Sequence, residues 1–246
     1  MNKEKILGFD VCISDKEDIL NSIFSDYEKS EQNVIVNINP EIVINNYKDK
    51  EFVENLNKEK YQVPDGIGIV YASKINKGNI KNRIAGIDLL NDICEKSIKY
   101  KAKIFLYGAK PEIADKAKQE LEKKYSGINI VGVCNGYTSE EFAVQEIHKH
   151  KPDILFIGIG SPKQEMFILK NKQKLDSVKI FMPVGGSFDV LSNTLKRAPN
   201  WMIKMNLEWL YRLLKQPQRI FRQSKLIKFV FCVIKHKKKG SKKCQK

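Results

Sequence analysis

The sequence predicts an α/β fold with a mostly parallel, doubly wound, Rossmann-like sheet and a basic, helical C-terminal appendage. Three observations predict it. Short β-rich runs alternate with amphipathic helical stretches through the first 195 residues, glycines and small polar residues follow the predicted strands, and the excess positive charge begins at Lys196. This alternation is typical of a parallel sheet covered by helices on both faces.

The predicted strands are runs of β-branched, aliphatic or aromatic residues. They lie at residues 34–38, 103–107, 129–133, 153–159 and 179–184. A helix is predicted at 40–60, where apolar residues recur at roughly helical spacing, and a charged surface helix is predicted at 112–124. Together these elements form the predicted main domain, residues 1–195.

The remaining residues, 196–246, differ in character. Residues 201–215 are predicted as an aromatic, arginine-bearing helix, which Pro217 interrupts, and residues 219–235 form a second basic stretch with interleaved apolar residues. The formal charge of +15 lies wholly in this appendage, which holds 16 basic residues and one acidic residue, Glu208. A neutral body with a basic tail argues against nucleic-acid binding over the whole surface. It predicts a tail that meets an anionic partner, with membrane phospholipid and polyphosphate as the leading candidates.

The cysteines and the apolar runs indicate the compartment. Five cysteines, an odd number without CxxC or histidine-linked spacing, disfavour a disulfide framework and a zinc site and predict a reducing cytoplasm. The N-terminal residues lack the apolar core of a signal peptide, and no apolar run reaches transmembrane length. We therefore expect a cytoplasmic protein that does not cross the bilayer.

The candidate site follows from the fold, because ligands of doubly wound sheets bind at the carboxyl ends of the strands. The segments there are rich in glycine and small polar residues: 37–40, 64–68, 107–111, 135–137, 158–165 and 185–189. None carries the full glycine pattern of a dinucleotide site or a P-loop. Taken singly, each turn fits a structural role. Their joint placement at one rim favours a functional role, with backbone amides and helix N-termini facing phosphate.

Asn39 and Asp65 each allow a structural and a functional interpretation. Asn39 before Pro40 is a favoured helix N-cap, and it could also hydrogen bond to a substrate. Asp65 fits an Asp-Gly turn, or a carboxylate at the crevice that acts as a general base. Asp189 carries the same ambiguity, and the local sequence leaves these alternatives open.

The histidines and carboxylates do not predict a metal centre. No Asp-X-Asp pair follows a predicted strand, and the histidines fall on a polar helix end or in the tail, so neither a metal ion nor another cofactor is predicted. A departing diphosphate would then need protein cations, and a guanidinium can bind phosphate bidentately. The candidates by residue type are Arg83, Arg197, Arg212, Arg219 and Arg222.

Residues 226–234 are apolar apart from Lys228, and lysines flank the segment. This pattern predicts either an interfacial helix on anionic lipid or an ordinary docked C-terminal helix with a solvated run of charge. The terminal lysines favour the membrane interpretation.

Several ordered motifs resemble a known family. They lie at residues 64–68, 83–89, 160–165, 185–190, 197–199 and 207–213. Over nearly its whole length the chain resembles the WecG/TagA/CpsF glycosyltransferases, glycosyltransferase family 26. The resemblance implies metal-free, inverting transfer of N-acetylmannosamine or a related sugar from UDP to undecaprenyl-diphosphate-linked N-acetylglucosamine. In the teichoic-acid members this step forms the linkage unit that joins the polymer to peptidoglycan.

The resemblance also implies residue roles. Asp65 matches the proposed general base, and the residues that match substrate-contacting positions are Asn39, Arg83 and Gln164. Arginines that match an appendage closing over the catalytic domain are Arg212, Arg219 and Arg222. Where teichoic-acid members carry Thr, position 37 is Asn. The side chain is still polar, so we expect the contact to be retained, and the difference leaves the donor or acceptor preference open. With the rim residues added, the predicted substrate-binding set is Asn37, Asn39, Arg83, Gly108, Tyr137, Gln164, Gly185, Gly186 and Asp189.

The predicted partners are a UDP-sugar donor, a lipid-diphosphate-linked sugar acceptor and the anionic inner face of the cell membrane, which the tail would contact. The sequence leaves the oligomeric state open. One alternative is transfer of another UDP-sugar, such as N-acetylmannosaminuronic acid or glucose, and a second is a non-catalytic, nucleotide-binding membrane adaptor. Nucleic-acid binding through the tail is disfavoured, because the body is neutral and lacks a basic face with interleaved aromatics.

Overall fold

The computed structural model describes residues 1–215 and 220–243, and it describes side chains for residues 1–215 and 225–237. The strands are β1 (Lys3–Ile6), β2 (Phe9–Cys12), β3 (Asn33–Ile38), β4 (Tyr61–Pro64), β5 (Lys103–Gly108), β6 (Asn129–Cys134), β7 (Ile154–Gly158) and β8 (Ile180–Pro183). The helices are α1 (Lys16–Glu28), α2 (Pro40–Asn46), α3 (Lys50–Asn57), α4 (Ile67–Asn76), α5 (Gly86–Lys99), α6 (Ile113–Lys124), α7 (Glu140–His150), α8 (Lys163–Asn171), α9 (Ser187–Leu191), α10 (Asn200–Lys204), α11 (Glu208–Lys215) and α12 (Ile220–Lys243).

The main sheet confirms the predicted Rossmann-like α/β class. Within the described residues it has six strands in the order β4-β3-β8-β7-β5-β6, every neighbouring pair is parallel, and β1 and β2 form a separate antiparallel hairpin. All six carboxyl ends therefore meet at one edge. The register pairs Ile38 of β3 with Pro64 of β4, so the residues that follow these two strands lie next to each other.

The core lies on both faces of this sheet. In β7, Leu155 and Ile157 pack with α2, α3, α4, α7, α8 and α12, whereas Ile154 and Phe156 pack with α1, α5, α6 and α9. Successive strand side chains point to opposite faces, and here both faces are covered. This double burial explains why the strands read as continuous apolar runs rather than as alternating ones.

Two predicted helices are each divided in the structure. The single helix predicted at 40–60 is α2 followed by α3, because Asp49 begins a new helix by accepting a hydrogen bond from the Phe52 amide. The helix predicted at 201–215 is α10 followed by α11, and Asn206 between them has a φ of 60°. All five predicted strands agree with the structure to within one or two residues. The strands β1, β2 and β4 were not predicted.

The last described helix, α12, docks on the main domain. Phe229 and Val233 are each 1% exposed and join the core on the α2 and α4 side. Ile227, Val230, Phe231 and Ile234 lie on another face of the same helix and are exposed. No helix in the part of the chain that the structure describes has the length and apolar character needed to cross a membrane.

Candidate active site

A cavity of about 430 Å³ opens at the carboxyl-end edge of the sheet. Its walls come from the residues after β3, β4, β7 and β8, from the loop before α5, and from α11 and α12. This is the rim at which the glycine and polar segments were predicted to gather. The predicted site residues that line it are Asn37, Asn39, Asp65, Arg83, Gln164, Gly185, Gly186 and Arg212.

Asp65 follows β4 and lines this cavity. Its amide donates to the Ile38 carbonyl at 2.8 Å, which ties the Asp-Gly turn to β3, and Gly66 follows with a φ of 91° that favours glycine. The turn interpretation is therefore correct for the backbone. It also leaves the half-buried side chain facing the cavity.

Several charges determine the protonation of the Asp65 carboxyl group. Burial raises its pKa to about 6, against the lowering effects of Arg212, Arg83 and a hydrogen bond from the Gly86 amide, while the Glu208 carboxylate raises it further. A carboxylate with this pKa accepts a proton more readily than an ordinary aspartate, yet it is mostly ionised at pH 7. The arrangement can supply a general base.

Asn37 and Asn39 are held by different backbone contacts. Asn39 caps α2, since its side-chain oxygen accepts from the Glu41 and Ile42 amides at 3.0 Å each, so the predicted cap is present in a residue that also lines the cavity. Asn37 donates to the Pro183 carbonyl at 2.9 Å across the β3–β8 pair. Its buried Oδ1 atom has no hydrogen-bond partner among the described residues.

Gln164 lines the cavity and links α8 to the loop after β8. Its Oε1 accepts from the Gly185 amide at 3.1 Å, and its Nε2 donates to Glu165 Oε1 at 2.9 Å. Glu165 is 3% exposed, and burial raises the pKa of its carboxyl group although hydrogen bonds from Gln164 and Ser161 act in the lowering direction. Gln164 and Glu165 thus place a second, buried carboxyl group in the cavity wall.

Arginines converge on Glu208 at the side formed by the appendage. Arg212 Nη2 lies 2.9 Å from Glu208 Oε1, Arg83 Nη2 lies 3.2 Å from Oε2, and Arg197 Nε lies 3.6 Å from Oε1. Arg197 also binds Asp88 through both terminal nitrogens, at 2.5 and 2.9 Å. These guanidinium groups line the same cavity as Asp65.

Three predicted substrate-binding residues lie outside the described cavity lining. Gly108 is buried with a φ of 135°, and a side chain there would collide with the Gly158 backbone of the neighbouring strand, so its glycine serves strand packing. Tyr137 is 72% exposed. Asp189 lies in the short helix α9, where its carbonyl accepts from the Leu195 amide. Arg219 lies outside the described residues, and so does the side chain of Arg222.

Glu165 and Glu208 are cavity residues that sequence reasoning did not select for the site. Both stand inside motifs that were recognised, and Glu208 is also the sole acidic residue among 16 basic ones. This isolation among basic residues is the sequence signal that could have identified Glu208. The predicted absence of a metal stays a prediction, although among the described residues no group of three or more His, Cys, Asp or Glu is placed to hold a metal ion.

Comparisons with known proteins bear on this site. A sequence model described as the Glycosyl transferase WecG/TagA/CpsF family matches residues 4–243. The N-acetylglucosaminyldiphosphoundecaprenol N-acetyl-beta-D-mannosaminyltransferase of Bacillus subtilis (strain 168) is 37% identical over 206 residues, which cover 83% of this chain and 80% of that protein. The protein of the same name from Staphylococcus aureus (strain MRSA252) is 36% identical over 207 residues, which cover 83% of this chain and 81% of that protein.

Proposed function

The chain belongs to the WecG/TagA/CpsF family of glycosyltransferases, and from that premise we propose that it transfers N-acetylmannosamine from a UDP-linked donor to lipid-linked N-acetylglucosaminyl diphosphate. The relatives carry the acceptor and the transferred sugar in their names. The observation that carries the proposal to this chain is the pairing of Asp65 with a cluster of arginines in one cavity at the carboxyl-end edge of the sheet.

The proposed reaction is a single displacement with inversion. Asp65 takes the proton of the attacking acceptor hydroxyl, the acceptor oxygen bonds to the anomeric carbon, and the bond from that carbon to the UDP oxygen breaks. The relatives form a β-linked sugar by name, which is the product that one displacement on an α-linked nucleotide sugar gives. One base is sufficient for such a step, and Asp65 has a pKa suited to the role.

The departing UDP carries the charge that develops in this step. Arg83, Arg197 and Arg212 line the cavity and would stabilise the diphosphate without a metal ion. Gly160 and Gly186 of the glycine turns line the same space. Asn37, Asn39 and Gln164 remain the proposed contacts to the sugars, with the unpartnered Oδ1 of Asn37 as an acceptor for a hydroxyl or amide group.

The lipid acceptor gives the appendage a proposed role at the inner face of the membrane. Helix α12 is docked through Phe229 and Val233, while Ile227 and Phe231 are 63% and 69% exposed on another face. Lysines flank this exposed apolar face, as in helices that lie in an anionic lipid interface. Leu226 of the same helix lines the cavity, so membrane contact by α12 would bring the site to the surface where the acceptor resides.

The experiment that tests the proposal measures UDP release by purified protein. The substrates are UDP-N-acetylmannosamine and a short-chain lipid-diphosphate N-acetylglucosamine, with a chelator present. We expect acceptor-dependent release that survives chelation. The variant Asp65→Asn keeps the shape of the side chain but not the base, and we expect a loss of about 100-fold or more in kcat, because general-base catalysis contributes about 10² to 10⁴. Asp153→Asn, which alters a partly buried carboxylate before β7 and outside the cavity lining, is the matched control.

Each other result of this assay has a meaning. Release that needs a divalent ion contradicts the metal-free mechanism, and undiminished release by Asp65→Asn contradicts the assigned base. If UDP-N-acetylmannosamine is inert, UDP-N-acetylmannosaminuronic acid and UDP-glucose test the alternative donors. Failure with every donor would contradict the proposed substrates.

A further inference from the structure

Glu208 is the single acidic residue of residues 196–246, and it is buried where the appendage meets the main domain. It begins α11, whereas two of its partners, Arg83 and Arg197, come from the loops before α5 and α10. The third partner, Arg212, lies one turn further along α11. One carboxylate therefore joins three guanidinium groups that reach the cavity from three segments.

The energetics of this cluster explain why a carboxylate is needed. Guanidinium groups a few ångströms apart repel each other, and a single buried carboxylate would be costly without partners. Together the groups satisfy each other: both Glu208 oxygens have arginine partners, and the Glu208 side chain is only 6% exposed. Removal of the carboxylate would leave Arg83, whose side chain is 15% exposed, without this ion pair and free to reorient.

We propose that Glu208 is a positioning residue, which fixes Arg83 and Arg212 in the orientation that receives the diphosphate of the nucleotide sugar beside Asp65. This inference rests on the proposed function and deepens it. Glu208 itself touches arginines rather than substrate. Because Glu208 holds the two arginine side chains in place before the donor binds, less of the binding free energy is lost in ordering them.

Glu208 also affects the pKa of Asp65 through its charge. The groups that act on its carboxyl are Arg83 from the loop before α5, Arg212 and Glu208 from α11, and the Gly86 amide at the start of α5. The two arginines and the amide lower its pKa, and Glu208 raises it. Loss of Glu208 removes its raising effect directly, and reorientation of the two arginines removes part of their lowering effect, so the pKa of Asp65 should change in a variant that lacks this carboxylate.

The test begins with UDP binding by the full-length chain, measured by isothermal titration calorimetry. We expect Glu208→Gln to raise the Kd for UDP about tenfold, the effect of about one charged hydrogen bond. Glu59→Gln is the matched control: Glu59 is a buried carboxylate paired with Lys172, neither residue lines the cavity, and we expect a Kd within about threefold of wild type. Unchanged or tighter UDP binding by Glu208→Gln overturns the inference.

A double-mutant cycle separates positioning from general stability. If Glu208 acts through Arg212, then Glu208→Gln in an Arg212→Ala background must cost less UDP affinity than it does alone. Equal costs in both backgrounds overturn the positioning role, whatever the thermal stability of the variants. If Glu208→Gln does not fold, Glu208→Asp keeps the charge but shortens its reach, and wild-type UDP affinity in that variant likewise overturns the inference.

The pH profile of kcat/KM gives an independent readout. Glu208→Gln should move the acid limb, while Glu59→Gln should leave it in place, and a limb that does not move in Glu208→Gln contradicts the inference. The outcomes are distinguishable from failure of the proposed function. A wild-type chain that does not bind UDP overturns both proposals, whereas wild-type binding with an unaffected Glu208→Gln variant overturns this one alone.

Discussion

Asp65 shows at the scale of one residue how the environment changes a side chain's chemistry. The structural demand on the position is a turn, which the backbone satisfies through the Ile38 carbonyl and the φ of Gly66. Burial then raises the carboxyl pKa to about 6, although two arginines act against it. Folding therefore favours the protonated form, and this contribution to stability is lost as pH rises through about 6. A cost of this kind is common at catalytic positions.

The pKa of Asp65 leads to a prediction about the pH dependence of turnover. The base must be ionised to accept the acceptor proton, so kcat/KM should fall as pH decreases through about 6. UDP release at acceptor concentrations well below KM, measured between about pH 5 and 8, checks the expectation. The residual activity of Asp65→Asn should lack this limb. A wild-type profile that stays flat down to pH 5, about one unit below the pKa, would contradict the assignment.

Single residues also show what sequence could and could not predict about the site. Asn39, Asp65, Arg83 and Gln164 follow strands or stand in recognised motifs, and the structure brings them to one cavity. Gly108 also follows the rule for strand ends, but its glycine is needed for the approach to Gly158, which depends on the order of strands in the sheet. Glu208 acts on Arg83 from 125 positions away, and local pattern carries no information about such a contact.

At the scale of elements, short strands were the least predictable part of the fold. The hairpin of β1 and β2 has four residues in each strand, and its turn places Leu7 and Gly8 at φ values of 49° and 97°. Leu is uncommon in that conformation, so the usual hairpin signal is absent. Strand β4 also has four residues, and pairing with β3 rather than length stabilises it. Long apolar strands such as β5 and β7 were predictable because both faces are buried.

Helix α12 has a docked face and an exposed apolar face, and the proposed membrane contact through the exposed face yields a prediction. Replacement of the exposed residues Ile227 and Phe231 by Ser should weaken binding to vesicles of anionic phospholipid about tenfold or more, since each buried apolar side chain contributes about 1.5–3 kcal/mol. Thermal stability should be unchanged, because neither residue is in the core. A vesicle sedimentation assay and a thermal melt measure the two quantities.

The matched control for this experiment is Val233→Ser on the docked face. Val233 is 1% exposed and belongs to the core, so this variant should lose thermal stability while the exposed face stays intact. Equal vesicle binding by wild type and the Ile227→Ser, Phe231→Ser double variant would contradict membrane contact through this face. The control ensures that a loss of binding is not a consequence of undocking.

At the scale of the whole molecule, charge and packing assign different roles to two parts of one chain. Residues 1–195 are neutral and carry the sheet and Asp65, whereas residues 196–246 carry the net charge of +15. The contacts show that the appendage is also part of the folded body. Ala198, Met202, Phe229 and Val233 are buried, and Arg197 and Glu208 bind Asp88 and Arg83 of the main domain. The appendage therefore has two proposed roles, membrane attachment and completion of the cavity, and an experiment can separate them.

Truncation after Leu195 separates the two proposed roles of the appendage when the truncated chain is assayed with a water-soluble acceptor. The truncated chain would lose Arg212 and Glu208 from the cavity wall and would expose the surface of α2 and α4 that Phe229 and Val233 cover. We expect the main sheet to fold with a lower melting temperature, because the deleted contacts are peripheral to its six strands. UDP release should be lost even though this acceptor requires no membrane. If the truncated chain turned over the soluble acceptor at the wild-type rate, the appendage would act as an anchor alone, and Arg212 of α11 would have no part in catalysis.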